Sequence, residues 1–165
     1  MQRTLLLVLA LVGVVSVRAQ GSGFGAGLLI GQPTGISVKA WIAADRAIDG
    51  GLAWSFAHNG YFHLHGDYLF HKMDLIQVAK GKLPLYFGPG LRFRSWGNDG
   101  YWHKGTYHED GSGHVDLGVR FPVGLAYLFD GAPVDVFLEM APTLDLVPST
   151  DLDVDGGLGV RYWFR

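Results

Sequence analysis

Apolar residues recur at every second position over long stretches of this chain, which is the pattern of a β-strand with one apolar face. The clearest stretch runs from Val115 to Phe129, where the odd-numbered residues are apolar at eight successive positions. We call such a set of alternate positions, whose side chains share one face of a strand, a parity. The other parity there mixes charged residues with Gly and Ala. Related alternation along the rest of the chain predicts eight strands, near residues 22–31, 34–43, 48–57, 62–70, 83–93, 115–129, 134–146 and 155–164.

The amino-acid composition indicates which β-fold these strands form. Hydrophobic residues make up 48% of the chain and charged residues only 17%, yet after residue 20 no apolar run approaches the ~20 residues of a membrane-spanning helix. The 25 Gly, 10 Phe, 7 Tyr and 5 Trp favour turns and strands. An even number of strands is typical of single-chain bacterial barrels. We therefore predict an all-β fold, an eight-stranded antiparallel up-and-down transmembrane β-barrel with its apolar parity facing lipid.

The first nineteen residues have the features of an export signal. Arg3 precedes the apolar segment Leu5–Val15, and Val17-Arg18-Ala19 approximates a small-x-small cleavage site. The apolar segment is too short for a membrane anchor. We predict a cleaved signal peptide at residues 1–19 and a single outer-membrane barrel domain at residues 20–165, exported to the bacterial outer membrane.

Turn-forming residues separate the predicted strands, and the connections differ in length. The longest irregular segment, residues 97–113, joins the fifth and sixth strands. If the N-terminus is periplasmic, this segment lies on the extracellular side, where barrel loops are long. The connection at residues 72–82 is longer than expected for a periplasmic turn.

Charged residues of both signs occupy the parity opposite the apolar one. An eight-stranded barrel is just wide enough for its own side chains to fill, and buried charges need partners. We therefore predict a structural charge network and a polar lumen plugged by side chains; an ion path or gated pore is the functional alternative. The predicted network comprises Lys39, Asp49, Asp67, Arg92, Arg94, Asp116, Arg120, Asp135, Glu139, Asp145, Asp155 and Arg161.

Candidate chemistry is sparse. The absence of Cys excludes disulfides, thiol catalysis and Cys-based metal sites, and the absence of a basic patch gives no argument for nucleic-acid binding. All seven His lie between positions 58 and 114, without a helical pair or tight metal spacing. We expect no catalytic residue, no cofactor and no metal site. A hydrolase at the barrel rim is the catalytic alternative, using the loop cluster His103, His108, Glu109, Asp110 and Ser112, although no nucleophile motif accompanies it.

Several segments resemble a known protein family in their residues and not only in their apolar pattern. GKLPLYFG at 81–88, the run at 121–150 and GGLGVRYWF at 156–164 are similar to small bacterial outer-membrane β-barrel proteins first noted in spirochaetes and catalogued as a domain of unknown function. The resemblance covers most of the chain after the signal peptide. It implies an eight-stranded barrel like the membrane domain of OmpA-like proteins, and it brings no assigned catalytic residues.

The last strand also resembles the C-terminal signal read by the outer-membrane assembly machinery, Gly-x-x-aromatic-x-aromatic. Gly159, Tyr162 and Phe164 occupy those positions. Two departures are Arg165, which follows the final aromatic residue, and Gly157, where a polar residue is expected. The resemblance implies that the assembly machinery is a partner of this chain.

The function predicted from the sequence is a structural or surface-interaction role without catalysis. We expect a monomer that contacts outer-membrane lipid and displays residues 97–113 to an extracellular partner. The main alternative is a soluble, lipocalin-like periplasmic carrier, in which the apolar parity would face inward around a small ligand. The rim hydrolase and a narrow channel are further alternatives.

Overall fold

A computed structural model describes residues 23–55, 61–96, 101–103, 106–108 and 114–164. The predicted signal peptide lies outside these residues. The described chain consists of strands joined by turns. Within the described residues there is no helix long and apolar enough to cross a membrane. The strands are β1 (Phe24–Gln32), β2 (Gly35–Ala43), β3 (Arg46–Ser55), β4 (Tyr61–Lys72), β5 (Leu85–Phe87), β6 (Gly90–Trp96), β7 (Tyr101–His103), β8 (Thr106–His108), β9 (His114–Arg120), β10 (Val123–Leu128), β11 (Val134–Val147) and β12 (Asp151–Phe164).

Ten of these described strands form one closed antiparallel barrel. β1 to β4 pair in chain order, and β12 pairs with both β11 and β1, which closes the sheet. β5 and β6 are two parts of the fifth barrel strand, since both pair with β4. β9 and β10 are likewise two parts of the sixth, since both pair with β11. The predicted eight-stranded antiparallel barrel is therefore confirmed.

The fifth and sixth barrel strands are interrupted, whereas the sequence predicted continuous strands at 83–93 and 115–129. The breaks fall at Pro89 and Pro122, because proline has no N–H to donate to a strand ladder. Backbone hydrogen bonds bridge both breaks: Gly88 N donates to Pro122 O at 3.2 Å, and Phe121 N donates to Pro142 O at 2.9 Å. The barrel wall therefore stays closed across both interruptions.

The connections alternate between the two ends of the barrel. The end at which β1 begins, here called the N-terminal end, carries residues 44–45, 73–84 and 129–133. The opposite end carries residues 33–34, 148–150 and the long segment 97–113, in which β7 and β8 pair as a separate small hairpin. The sequence prediction of one dominant loop between the fifth and sixth barrel strands agrees with this arrangement.

The long connection at the N-terminal end is attached to the barrel wall. Lys82 and Leu128 exchange backbone hydrogen bonds of 3.0 and 2.8 Å, and Gly81 N donates to Asp130 Oδ2 at 2.7 Å. Gly81 has a φ of +72°, and an added Cβ would lie 2.5 Å from Leu128 O. Glycine is needed there because an L side chain is both strained and crowded in that position.

The outer surface of the barrel is apolar. Leu28, Leu91, Leu138 and Leu158 are each more than half exposed, with 67% for Leu91. Their strand neighbours of opposite parity point inward, because successive side chains of a strand alternate between its faces. The outward assignment of the apolar parity is thus confirmed on strands from several sides of the barrel.

Candidate functional site: a charged interior

All twelve residues predicted for the charge network lie buried on the inner face of the barrel. Even the most exposed of them, Glu139, shows only 9% of its surface. Four arginines organise the interior into three groups of contacts. We refer to the twelve residues together with Asp153, which joins them in the structure, as the interior charge set.

Arg161 on β12 is the centre of the first group. Its Nη1 donates to Asp49 Oδ2, and its Nε donates to Asp135 Oδ1 at 3.2 Å. The guanidinium also lies over the ring of Phe137, 3.9 Å from its centroid. Asp135 Oδ2 accepts a second bond of 3.0 Å from the indole of Trp163. Arg161 is therefore fixed by two carboxylates and one aromatic face.

Gly159 makes the position of Phe137 sterically feasible. The two residues lie directly opposite one another in the β11–β12 register. A Cβ at position 159 would collide with the Phe137 ring. The absence of a side chain on β12 thus provides the space for the ring on which Arg161 rests.

Arg120 on β9 is the centre of the second group. Its Nη2 donates to Glu139 Oε1 at 2.5 Å, and its Nε lies 3.2 Å from Asp67 Oδ1. The second oxygen of Glu139 accepts a 3.0 Å bond from the hydroxyl of Tyr86. Tyr86 itself is fully buried. The alternation in the predicted strand at 83–93 places Tyr86 on the parity opposite the apolar one, but its bond to Glu139 was not predicted.

Arg92 and Arg94 on β6 form the third group with carboxylates of β9, β11 and β12. Arg92 binds Asp145 at 2.7 Å and Asp155 at 2.8 Å. Arg94 shares Asp145 at 3.0 Å and binds Asp153 at 2.6 Å. Its Nη2 also contacts Asp116 Oδ2 at 3.0 Å.

Asp153 was missed by the sequence prediction because the last strand was predicted to begin near residue 155. The structure extends β12 back to Asp151. The signal was present in the sequence, since Asp151, Asp153 and Asp155 share one parity around the apolar Leu152 and Val154.

Lys39 lies opposite Asp49 in the β2–β3 register, and its closest polar contact is with a histidine. Its Nζ is 2.7 Å from His71 Nε2. It also lies over two rings, 4.6 Å from the centroid of Tyr86 and 5.2 Å from that of Trp41. His71 was not predicted as an interior residue, although it continues the inward parity of His63 and His65 on β4.

Carboxylates outnumber cations in the interior charge set. The set holds eight Asp or Glu and five Lys or Arg. Among the described residues, one group has ligand atoms close enough together to hold a metal ion: Asp49, His65 and Asp67. The rim cluster of the hydrolase alternative falls in residues 97–113, where the structure describes no side chains.

The residues of the predicted assembly signal lie on β12 beside the seam with β1. Tyr162 and Phe164 are both about half exposed on the outer surface, and their rings pack at 5.1 Å. Phe164 also stacks on Phe24 of β1 with 6.3 Å between the ring centroids. The third residue of the signal, Gly159, is the one that accommodates Phe137 inside the barrel.

The fold and this interior define the class as a closed eight-stranded β-barrel of the type solved for bacterial outer-membrane proteins. The N-terminal β-barrel domain of OprF from Pseudomonas aeruginosa superimposes with a TM-score of 0.62 at 14% identity, over 89% of this chain and 100% of that domain. Neisserial surface protein A (NspA) gives a TM-score of 0.47 at 15% identity, over 87% of this chain and 95% of that one.

Ail, the attachment invasion locus protein of Yersinia pestis, gives a TM-score of 0.37 at 13% identity, over 86% of this chain and 94% of that one. No protein-family model matches the chain. No curated protein matches it either. At these identities the likeness to OprF establishes the fold alone.

Proposed function

We propose that this chain is a structural barrel of the bacterial outer membrane, with its outer surface in lipid and its interior closed by ion-paired side chains. The observation that carries the proposal is the reversed distribution of polarity. Large apolar side chains such as Leu138 and Leu158 are exposed, while Arg92, Arg120 and Arg161 are 1% exposed. Such a surface is stable only in contact with hydrocarbon.

The same distribution weighs against the lipocalin-like carrier. A soluble carrier needs an apolar cavity and a polar exterior. Here the inner face carries five cationic side chains with their carboxylates, and the apolar parity lies outside. The geometry therefore favours the membrane barrel over the carrier.

Plugging of the lumen is supported by ion pairs that cross it. Arg161 on β12 reaches Asp49 on β3, and Arg92 on β6 reaches Asp155 on β12. Arg120 on β9 contacts Asp67 on β4. None of these pairs joins strands that are neighbours in the sheet. These contacts reach across the interior rather than along the wall, which supports a lumen filled by side chains.

A surface-interaction role accompanies the structural one. The β7–β8 hairpin belongs to the segment 97–113, which connects two barrel strands at the end opposite the N-terminal end. We assign this end to the outside of the cell, since barrel loops are longer there. The partner of the segment is a molecule at the cell surface, and the barrel presents the hairpin as a monomer.

Fractionation and conductance test the proposal together. The chain without residues 1–19 is expected in the outer-membrane fraction, to require detergent for solubility, and to migrate differently on a gel before and after heating. External protease should cut within residues 97–113 of intact cells. In a planar bilayer the folded protein should leave the current at baseline.

The outcomes separate the alternatives. A chain recovered from the periplasm without detergent contradicts the membrane barrel and favours the carrier. Reproducible unit conductance contradicts the plugged lumen and favours the narrow channel. Lack of cleavage in cells, with cleavage in permeabilised cells, reverses the assigned orientation.

A further inference from the structure

Three interior side chains converge on one point between β3 and β4. Asp49 lies directly opposite Asp67 in the strand register, and His65 lies opposite Gly51. Each of the three offers a ligand atom within 4.8 Å of the other two. All three side chains are buried, with at most 5% of their surface exposed.

The carboxylate of Asp67 lacks hydrogen bonds. Neither of its oxygens accepts one, and it is the only buried carboxylate of the described residues for which both fail to do so. Its one ion-pair contact is with Arg120 Nε, 3.2 Å from Oδ1, and that nitrogen also donates no hydrogen bond. A buried carboxylate without such bonds is costly. Its orientation therefore points to a missing partner.

Two glycines leave room for these side chains. A Cβ at Gly51 would collide with the imidazole of His65, and a Cβ at Gly90 would collide with Asp67 Oδ1. Gly51 belongs to β3, and Gly90 belongs to β6 on the other side of β4. The backbone on both sides of β4 is thus adapted to hold the imidazole and the carboxylate where they lie.

Charge also favours a bound cation. Like charges directly opposite one another on neighbouring strands destabilise a sheet, and Asp49 faces Asp67 in this way. The interior charge set has eight carboxylates and five cations, a formal charge of −3. A divalent cation would reduce it to −1 and would separate the two carboxylates.

We propose that Asp49, His65 and Asp67 form a binding site for a divalent transition-metal ion such as Zn²⁺. An imidazole with two carboxylates suits zinc, which commonly takes three protein ligands with an open fourth position. His63 Nε2 lies 3.1 Å from His65 Nδ1, and this contact leaves Nε2 of His65 as the ligand atom. A hydrogen bond to the other ring nitrogen is a common way to orient a ligating imidazole.

Arg161 and Arg120 remain compatible with the ion. Arg161 contacts Asp49 through Oδ2 only, and Arg120 approaches Asp67 through Oδ1 only. Each carboxylate therefore keeps one oxygen that no basic side chain contacts. The site was not detectable from sequence spacing, because the strand register rather than a motif brings residues 49, 65 and 67 together.

The proposal is tested by measuring the metal content of the protein after refolding. Refolding is used because an ion can enter the interior while the barrel is still open. The chain without residues 1–19 and without a His tag is refolded into detergent with Zn²⁺, freed of excess ion by gel filtration, and measured by mass spectrometry of the metal. We expect about one Zn²⁺ per wild-type chain and loss of the ion in His65→Gln and Asp67→Asn.

His71→Gln and Asp145→Asn are the matched controls. His71 is a buried His of the same strand, and Asp145 is a buried Asp of the third contact group. Both variants should keep the ion. The proposal is overturned if the wild-type chain carries no metal. It is also overturned if the His65→Gln and Asp67→Asn variants both retain the metal.

A spectroscopic readout covers variants that fail to fold. Wild-type protein refolded with Co²⁺ should show the strong visible absorption of a four- or five-coordinate ion, and Zn²⁺ should remove it by competition. A spectrum identical to that of aqueous Co²⁺ overturns the proposal without reference to any variant.

Discussion

Arg161 on the last strand contacts Asp49 on the third, across the width of the barrel. Both side chains are almost completely buried, and the pair joins two strands that are not neighbours in the sheet. Arg161 also binds Asp135. Loss of this one guanidinium would remove the ion pairs of two buried carboxylates.

Arg161→Leu should therefore destabilise the barrel strongly. Removing one partner of a buried ion pair costs about 3–5 kcal/mol, because the remaining charge stays uncompensated. Urea unfolding of the detergent-folded protein measures the change in the free energy of unfolding. Arg46→Leu is the control, since the Arg46–Asp45 pair is exposed and such pairs contribute about 0–1 kcal/mol. Equal losses in the two variants would contradict the proposed importance of the cross-barrel contact.

Leu138→Arg should impair folding into lipid vesicles. Leu138 lies in the middle of β11 and is 59% exposed on the outer surface, and an Arg near the bilayer midplane of a barrel costs about 2–4 kcal/mol. Leu75→Arg serves as the control, because Leu75 is equally exposed but lies in the connection between β4 and β5. If Leu138→Arg folds as stably as Leu75→Arg, the outer surface does not face lipid.

Gly159→Leu should destabilise the barrel by displacing Phe137. Crowding of a packed interior typically costs about 1–3 kcal/mol, and here the displaced ring also supports Arg161. The second substitution Phe137→Ala should restore part of the lost stability, which a double-mutant cycle of unfolding energies would detect. Gly131→Ala is the control because nothing lies within 4 Å of its added Cβ. Additive losses at 159 and 137 would disprove the steric relationship.

Phe164→Ala should slow assembly in cells more than refolding in detergent. We propose that Phe164 is the final aromatic residue of the signal read by the assembly machinery, and its ring also stacks on Phe24. Phe129→Ala is the control, since Phe129 is similarly exposed but lies outside the last strand. Pulse labelling that follows the heat-modifiable form measures the rate. Equal rates for the two variants would exclude a specific role for Phe164.

The fold was predictable because strand side chains alternate with a period of two. This period fixed the face of each residue, so the buried position of Arg120 and the exposed position of Leu138 followed from parity alone. The breaks at Pro89 and Pro122 were also visible in the sequence as residues that cannot donate a ladder bond. The uninterrupted apolar parity through both prolines nevertheless favoured continuous strands.

The pairing inside the barrel was not predictable to the same degree. Parity places a side chain in the interior, but the stagger of the strands on closure decides which side chains meet there. Asp49 and Arg161 are separated by most of the chain, and nothing local in the sequence couples them. The contact between Lys39 and His71 is unpredictable for the same reason, because it depends on the relative positions of β2 and β4 on the two sides of β3.

Closure through β1 and β12 imposes an order on biogenesis. Phe24 pairs with Phe164, so one hydrogen-bonding edge of the first strand stays uncovered until the last strand is available to pair with it. An uncovered strand edge invites pairing with other chains. Contacts this distant along a polypeptide also form slowly. We therefore expect that assembly of the chain is more efficient with a chaperone that covers this edge until all the strands have paired.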